Sequence, residues 1–217
     1  SSDLFVYVLG GAINVGNLSY VNYIVPGIIL QCIGQCASTT AISVCNDMKS
    51  GIIDRFCTLP IKKSSILSGH VISALLRNFL TTVIVIAVAF AMGFRPSANA
   101  FGWLIATIIV LLYITAISWI SVFLGIKANS PEGAGAFAVF AVVLPYLSSG
   151  FVTVETMPKF LRIFAEHQPM TPIIDSIRML LLGEPINMNT LYLALAWCFG
   201  LAIVFYFLSS IAFKAKR

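Results

Sequence analysis

Charge is what this sequence has least of. Only 10% of its 217 residues are Asp, Glu, Lys or Arg, against 59% apolar, and the mean hydropathy is +0.97. Soluble domains are charged at about a quarter of their positions. A chain this poor in charge cannot cover a globule with polar surface, so its solvent is the bilayer. Histidine is almost missing too. His70 and His167 are the only two, and in the span pattern below they fall on opposite membrane faces, about 30 Å of hydrocarbon apart. Ser68 lies near His70, but an i, i+2 pair on a helix points apart and makes no nucleophile and base. No paired carboxylates lie within an apolar run, and no His, Cys or carboxylate spacing reads as a metal site. No GxxxxGK[ST] phosphate loop occurs. The chain reads as non-catalytic, binding no metal or cofactor of its own. The formal charge of +5 reports orientation in a chain of this kind rather than affinity for nucleic acid.

Cysteine offers no framework either. Cys32, Cys36, Cys45 and Cys198 lie in or beside apolar runs, and Cys57 lies in a charged stretch, so a secreted disulfide pattern is excluded. Cys32 and Cys36 share a helix face, but nothing nearby completes a metal site, and they read as packed thiols.

What the chain does have is long apolar runs. Residues 23–45, 71–94, 101–125, 133–152 and 191–213 are each near the ~20 residues needed to cross a bilayer. They are continuous and show no β-barrel alternation, which predicts an all-α polytopic membrane protein. The run 4–13 is too short to span and has no charged lead-in of a signal peptide; it is expected to be the tail of a first span that begins before Ser1. Five complete helices and this tail make one transmembrane domain over 1–217. Lys49, Arg55, Lys62, Lys63, Lys127, Lys214, Lys216 and Arg217 collect on one side; only Arg95, Lys159, Arg162 and Arg178 are on the other. The positive-inside rule puts the first group and the C-terminus in the cytoplasm of a plasma-membrane protein.

Two polar pieces interrupt the spans. The first, "NDMKSGIIDRFCTLPIKKSSILSGH", connects the first two complete spans. Asn46 or Asp47 is placed to cap a short helix on which Met48, Ile52, Phe56 and Leu59 form an apolar stripe, stopped by Pro60, with Ser64 or Ser65 capping the next span. Such a helix either anchors the loop to the membrane surface or fits a groove on a soluble partner, and physical chemistry leaves both open. The second piece, residues 153–189, is expected to be an interfacial or re-entrant helical hairpin on the far face. It carries Met157, Pro158 and Arg162, breaks at Pro169 and Pro172, and sets Asp175 and Arg178 at i, i+3.

Within the spans the polar residues are Gln31, Gln35 and Arg77. They are candidates for a translocation path, beside the alternatives of interhelical hydrogen bonding for the glutamines and snorkelling for Arg77. Tyr23, Phe101, Trp103, Tyr113, Trp119 and Tyr146 are aromatic candidates for cargo contact or for interfacial anchoring.

The order of these pieces carries a resemblance. "DMKSGIIDRFCTLPIKKSSILSGHVISALLRN", with Gly51, Asp54, Arg55, Leu59, Pro60 and Gly69, resembles the cytoplasmic helix region of the ABC-2 family of exporter permeases. "LPYLSSGFVTVETMPKFLRIFAEHQPMTPIIDSIRMLLLG" resembles the segment joining that family's last two spans, especially in its daunorubicin-resistance-type members. Pro145, Ser148, Ser149, Phe151, Met157, Pro158, Pro169, Thr171, Pro172, Arg178 and Gly183 carry this second match. The family has six spans, where this chain shows the end of the first. The resemblance implies that 46–66 is a coupling segment, in which Lys49, Gly51, Ile52, Asp54, Arg55, Phe56, Leu59 and Pro60 dock on a separate ATP-hydrolysing subunit. It implies two such ATPase subunits carrying ATP and Mg, a second permease chain (a homodimer or a heterodimer), and contact with membrane lipid. The expected function is export of a hydrophobic or amphipathic substrate such as a drug. Export of a lipid or lipid-linked glycan, or a membrane scaffold recruiting a cytoplasmic partner without transport, are the other readings.

Overall fold

The computed structural model describes residues 20–50, 63–136, 143–151 and 159–215. Every regular element among them is helical: α1 (Tyr20–Lys49), α2 (Lys63–Ala91), α3 (Ala100–Lys127), the short α4 (Pro131–Gly135), α5 (Lys159–His167), α6 (Met170–Leu182) and α7 (Met188–Ala215). Four helices are long and apolar enough to cross a membrane: Val21–Lys49, Leu67–Ala91, Ala100–Lys127 and Met188–Ala215. They coincide with four of the expected spans. The expected span 133–152 is not one continuous helix where it is described. It starts in α4, shows a helical turn at 143–146, and passes into turns over 147–151. The run 4–13 and residues 137–142 lie outside the described residues.

The chain divides into two compact units. The first comprises Ser1–Gln31, Thr82–Ile109 and Val143–Leu195, and the second comprises Cys32–Thr81, Val110–Val142 and Ala196–Arg217.

In the first unit the helix ends are closed by local chemistry. α2 stops because Gly93 takes a left-handed conformation (φ 97) and the Phe94 N–H returns to the Ala89 carbonyl. This ends the helix a few residues short of the expected limit at 94. Asn99 caps α3, its Oδ1 accepting from the Gly102 N–H at 2.8 Å. α6 begins after Pro169 and holds Pro172 in its first turn, where a missing N–H costs no helical bond. It ends at Gly183 (φ 68), and the N–H groups of Gly183 and Glu184 both return to the Met179 carbonyl. The last carbonyls of α6 are met from outside the helix: Ser97 Oγ donates to Leu182 and the Ala98 N–H to Leu181.

In the second unit Val44, Leu67, Val71, Val122, Ile126, Ala212 and Phe213 form an apolar core, with Met48 and Trp119 packed on it. A Cβ added at Gly125 would stand 2.6 Å from the Ala41 carbonyl oxygen, so α1 and α3 meet backbone to backbone there. Helices in lipid gain little by hiding apolar side chains from one another, and close contact of this kind is what holds them.

α1 also extends further than expected. It runs unbroken to Lys49, with the Ser50 N–H bonded to the Asn46 carbonyl at 2.9 Å. Asn46 and Asp47 are therefore interior helix positions and not the caps of a separate helix. α2 begins at Lys63, ahead of the two expected cap serines, which fall inside its first turn.

The tightest backbone approach in the first unit joins Gly27 of α1 to Gly150, where an added Cβ would lie 2.6 Å from the Gly150 carbonyl oxygen. Gly27→Ala is expected to cost about 1–3 kcal/mol through overpacking against backbone that cannot give way. Gly200→Ala, whose Cβ meets nothing within 4 Å, is expected to be neutral. Thermal melting of both variants in one detergent checks the contrast.

Candidate functional site

The most polar buried constellation lies in the first unit and centres on Arg178. The side chain is 8% exposed. Its Nε donates to the Tyr23 carbonyl at 3.3 Å, Nη2 donates to the Ser149 carbonyl, and Nη1 donates to Asp175 Oδ1 at 2.7 Å. The guanidinium also lies over the Tyr23 ring, 3.8 Å from its centroid. Ser149 Oγ donates to the same Asp175 oxygen at 2.6 Å. A buried guanidinium is tolerable only when its donors are used, and every one of these bonds is charge-assisted. Burial pushes the Asp175 carboxyl above its ordinary range, opposed by the charge of Arg178 and by the bonds from Ser149 and Arg178.

Sequence elements that looked unrelated are thereby joined. The turn 147–151 presents Ser149, and it is itself fixed by Ser148, whose Oγ donates to the Pro145 carbonyl at 2.6 Å and accepts from the Gly150 N–H. Tyr146 stacks on Phe151, with centroids 4.5 Å apart. Gln168 is buried and donates from Nε2 to the Leu147 carbonyl at 2.7 Å. Thr171 Oγ1 donates to the Ala165 carbonyl across the α5–α6 joint.

The expected hairpin splits in character. Eleven of the thirteen residues of α6 are buried, so it is a packed helix, not one resting on a surface. α5 is the reverse. Phe160 is 84% exposed, Ile163 and Phe164 are exposed beside it, and Ala165 turns inward. Arg162 is exposed on α5, while Met157 and Pro158 lie outside the described residues. Tyr23 and Tyr113, candidates for cargo contact, are buried. Tyr23 holds Arg178 instead.

The path candidates fall in different units. Gln31, in the first, donates from Nε2 to the Tyr146 hydroxyl at 3.0 Å. In the second, Gln35 is exposed on α1, and Arg77 donates from Nη1 to Thr39 Oγ1 at 2.6 Å. The bond to Thr39 supplies a partner for Arg77 that the sequence did not indicate. Of the coupling residues, Lys49 is the exposed last residue of α1; Gly51, Ile52, Asp54, Arg55, Phe56, Leu59 and Pro60 lie outside the described residues. The ends of that segment are nevertheless tied. His70 Nε2 of α2 lies 3.3 Å from Asp47 Oδ2 of α1.

The family model described as ABC-2 type transporter matches residues 3–182. The chain belongs to the ABC-2 type transporter family. It is 28% identical over 181 residues to the "Daunorubicin resistance ABC transporter permease protein DrrB1" of Streptomyces coeruleorubidus, covering 83% of this chain and 64% of that protein. It is 25% identical over 209 residues to the "Probable doxorubicin resistance ABC transporter permease protein DrrC" of Mycobacterium tuberculosis (strain CDC 1551 / Oshkosh), covering 93% of this chain and 74% of that protein. This ABC-2 chain thus spans less than two thirds of the first relative's length.

Two variants test the Arg178 cluster. Arg178→Met removes the donors to the Tyr23 and Ser149 carbonyls, leaves the Asp175 carboxylate without its cation, and is expected to cost about 3–5 kcal/mol, read as loss of monodisperse protein or a large fall in melting temperature. Asp175→Asn is expected to be milder and to change the pH dependence. A raised folded-state pKa contributes stability that is complete below the ordinary carboxylate value of about 3.9 and is lost as pH rises through the raised one. Wild type should therefore lose melting temperature relative to Asp175→Asn as pH rises through that window.

Proposed function

We propose that this chain is the permease subunit of an ATP-binding cassette exporter, moving a hydrophobic or amphipathic substrate such as a drug outward. The observation that carries this reading is the family match over residues 3–182, which takes in the first polar segment, most of the second and three of the four apolar helices. The two relatives, named as resistance permeases for daunorubicin and doxorubicin, favour a drug over a lipid or glycan as cargo.

On this reading ATP and Mg are handled by separate ATPase subunits, and two permease chains enclose the path. The segment 46–66 faces the cytoplasm and docks on the ATPase. Phe56 and Leu59 fill an apolar groove, and Lys49, Asp54 and Arg55 set the register by charge. ATP-driven closure of the ATPase pair pushes this segment, and the spans rearrange to release cargo on the far face. Gln31 and Gln35, one turn apart on α1, are candidates to line the path with Arg77. On the far face α5 lies in the outer interface. Phe160, Ile163 and Phe164 enter the lipid and Arg162 stays at headgroup level.

The full chain, tagged in native membranes and purified gently, is expected to bring an ABC-type ATPase with it. Scrambling residues 47–60 should lose that subunit. Phe56→Ala or Arg55→Glu should lower both hydrolysis by the bound ATPase and export of daunorubicin as probe, with membrane insertion unchanged. A stable complex containing no ATPase would replace the exporter reading with a scaffold.

A further inference from the structure

Asp47 and His70 bracket the charged insert, and each sits on a helix that continues into a span. His70 Nε2 lies 3.3 Å from Asp47 Oδ2. Nε2 faces the carboxylate, and the contact is an ion pair when the ring is protonated.

The surroundings of the pair are unequal. On the α1 side the helix is fixed. Cys45 Sγ reaches the Ala128 carbonyl, Ser38 Oγ reaches the Gly135 carbonyl, and Gly125 lets α3 approach α1 backbone to backbone. On the α2 side Leu67 and Val71 join the shared apolar core, Arg77 Nη1 donates to Thr39 Oγ1 of α1 at 2.6 Å, and His70 supplies the polar contact to α1 nearest the insert. The bond from Arg77 sets the register of α1 and α2 within the spans, and the His70–Asp47 contact carries that register to the base of the insert. We propose that Asp47 and His70 form a clasp that positions the insert, joining its two ends so that a push from the ATPase reaches α1 and α2 together. This rests on the coupling role proposed above for residues 46–66. Neither residue touches nucleotide or cargo in this scheme; both act through the segment between them. A partly exposed pair contributes little to stability, so the clasp can be opened without unfolding the protein.

The test uses the full chain purified with its ATPase, reading ATPase retained per permease, the hydrolysis rate, and the yield of folded permease. His70→Phe keeps the ring's bulk and removes the donor; with Asp47→Asn it should lower retention or hydrolysis about fivefold or more at unchanged folded yield. His70→Gln, which keeps a donor, should retain most of the activity, and the exchange Asp47→His with His70→Asp should restore it. Failure of both rescues, or a fall in folded yield that accounts for the loss, overturns the clasp. If His70→Phe behaves as wild type while Phe56→Ala is impaired, the clasp is wrong and the coupling role stands. If neither variant has an effect, the coupling role itself fails and the clasp with it.

Discussion

A guanidinium taken out of water fixes much of the first unit. Arg178 cannot shed its charge, so its surroundings must answer it with acceptors at set positions. Two of those acceptors are backbone carbonyls, of Tyr23 and Ser149, and a carbonyl can be offered only by placing the chain itself. This accounts for the turn that replaces helix over 147–151, in which Ser148 bonds back to Pro145 so that Ser149 can face α6. It accounts as well for the glycine pair at 27 and 150, since bringing both backbones to one arginine leaves no room for a Cβ between them. Asp175 completes the set at i, i+3, and Ser149 Oγ occupies the same carboxylate oxygen.

The second unit is held differently. Two of its buried hydroxyls turn back on their own helix, Ser118 to Ile114 and Ser121 to Ile117, while Ser38 reaches the Gly135 carbonyl and Ser209 of α7 the Trp119 carbonyl of α3. Helix contact comes from small residues and apolar interlock: Gly125 against Ala41, and Val44 with Val71, Val122 and Phe213. That is the packing expected where lipid removes the hydrophobic drive between helices. The outer faces of α2 and α7 remain apolar and exposed, Leu80 and Ile84 on one and Phe199, Ile203 and Phe207 on the other. Those faces suit lipid.

The sequence was most legible where one property decides the outcome. Continuous apolar runs near 20 residues mark spanning helices, and four of them stand where expected because nothing competes with backbone bonding in hydrocarbon. It was less legible where a partner distant in sequence decides. The Asp175–Arg178 spacing was visible, but Tyr23 lies 155 positions from Arg178 and Ser149 lies 29 away, and no periodicity reports such a pairing. For the same reason α6 was expected only as part of an interfacial or re-entrant hairpin, without the protein partners that bury it. Its polar residues marked it as unfit to span, yet those residues are the ones that seat it in the protein. Asn46 and Asp47 misled in another way. Both are strong cap formers, but capping is optional when the preceding helix can simply continue, and α1 does so to Lys49.

The motif that most resembles the ABC-2 family is occupied with structure. Ser148, Ser149, Thr171 and Arg178 are buried and bonded to protein, Pro172 sits inside the first turn of α6, and Gly183 closes its end. The match over 144–183 therefore speaks to how the segment is built and is compatible with many transported molecules. Polar capacity is left near the spans, among the described residues, at Gln35, exposed on α1, and at Gln31, whose carboxamide bonds Tyr146 through its nitrogen.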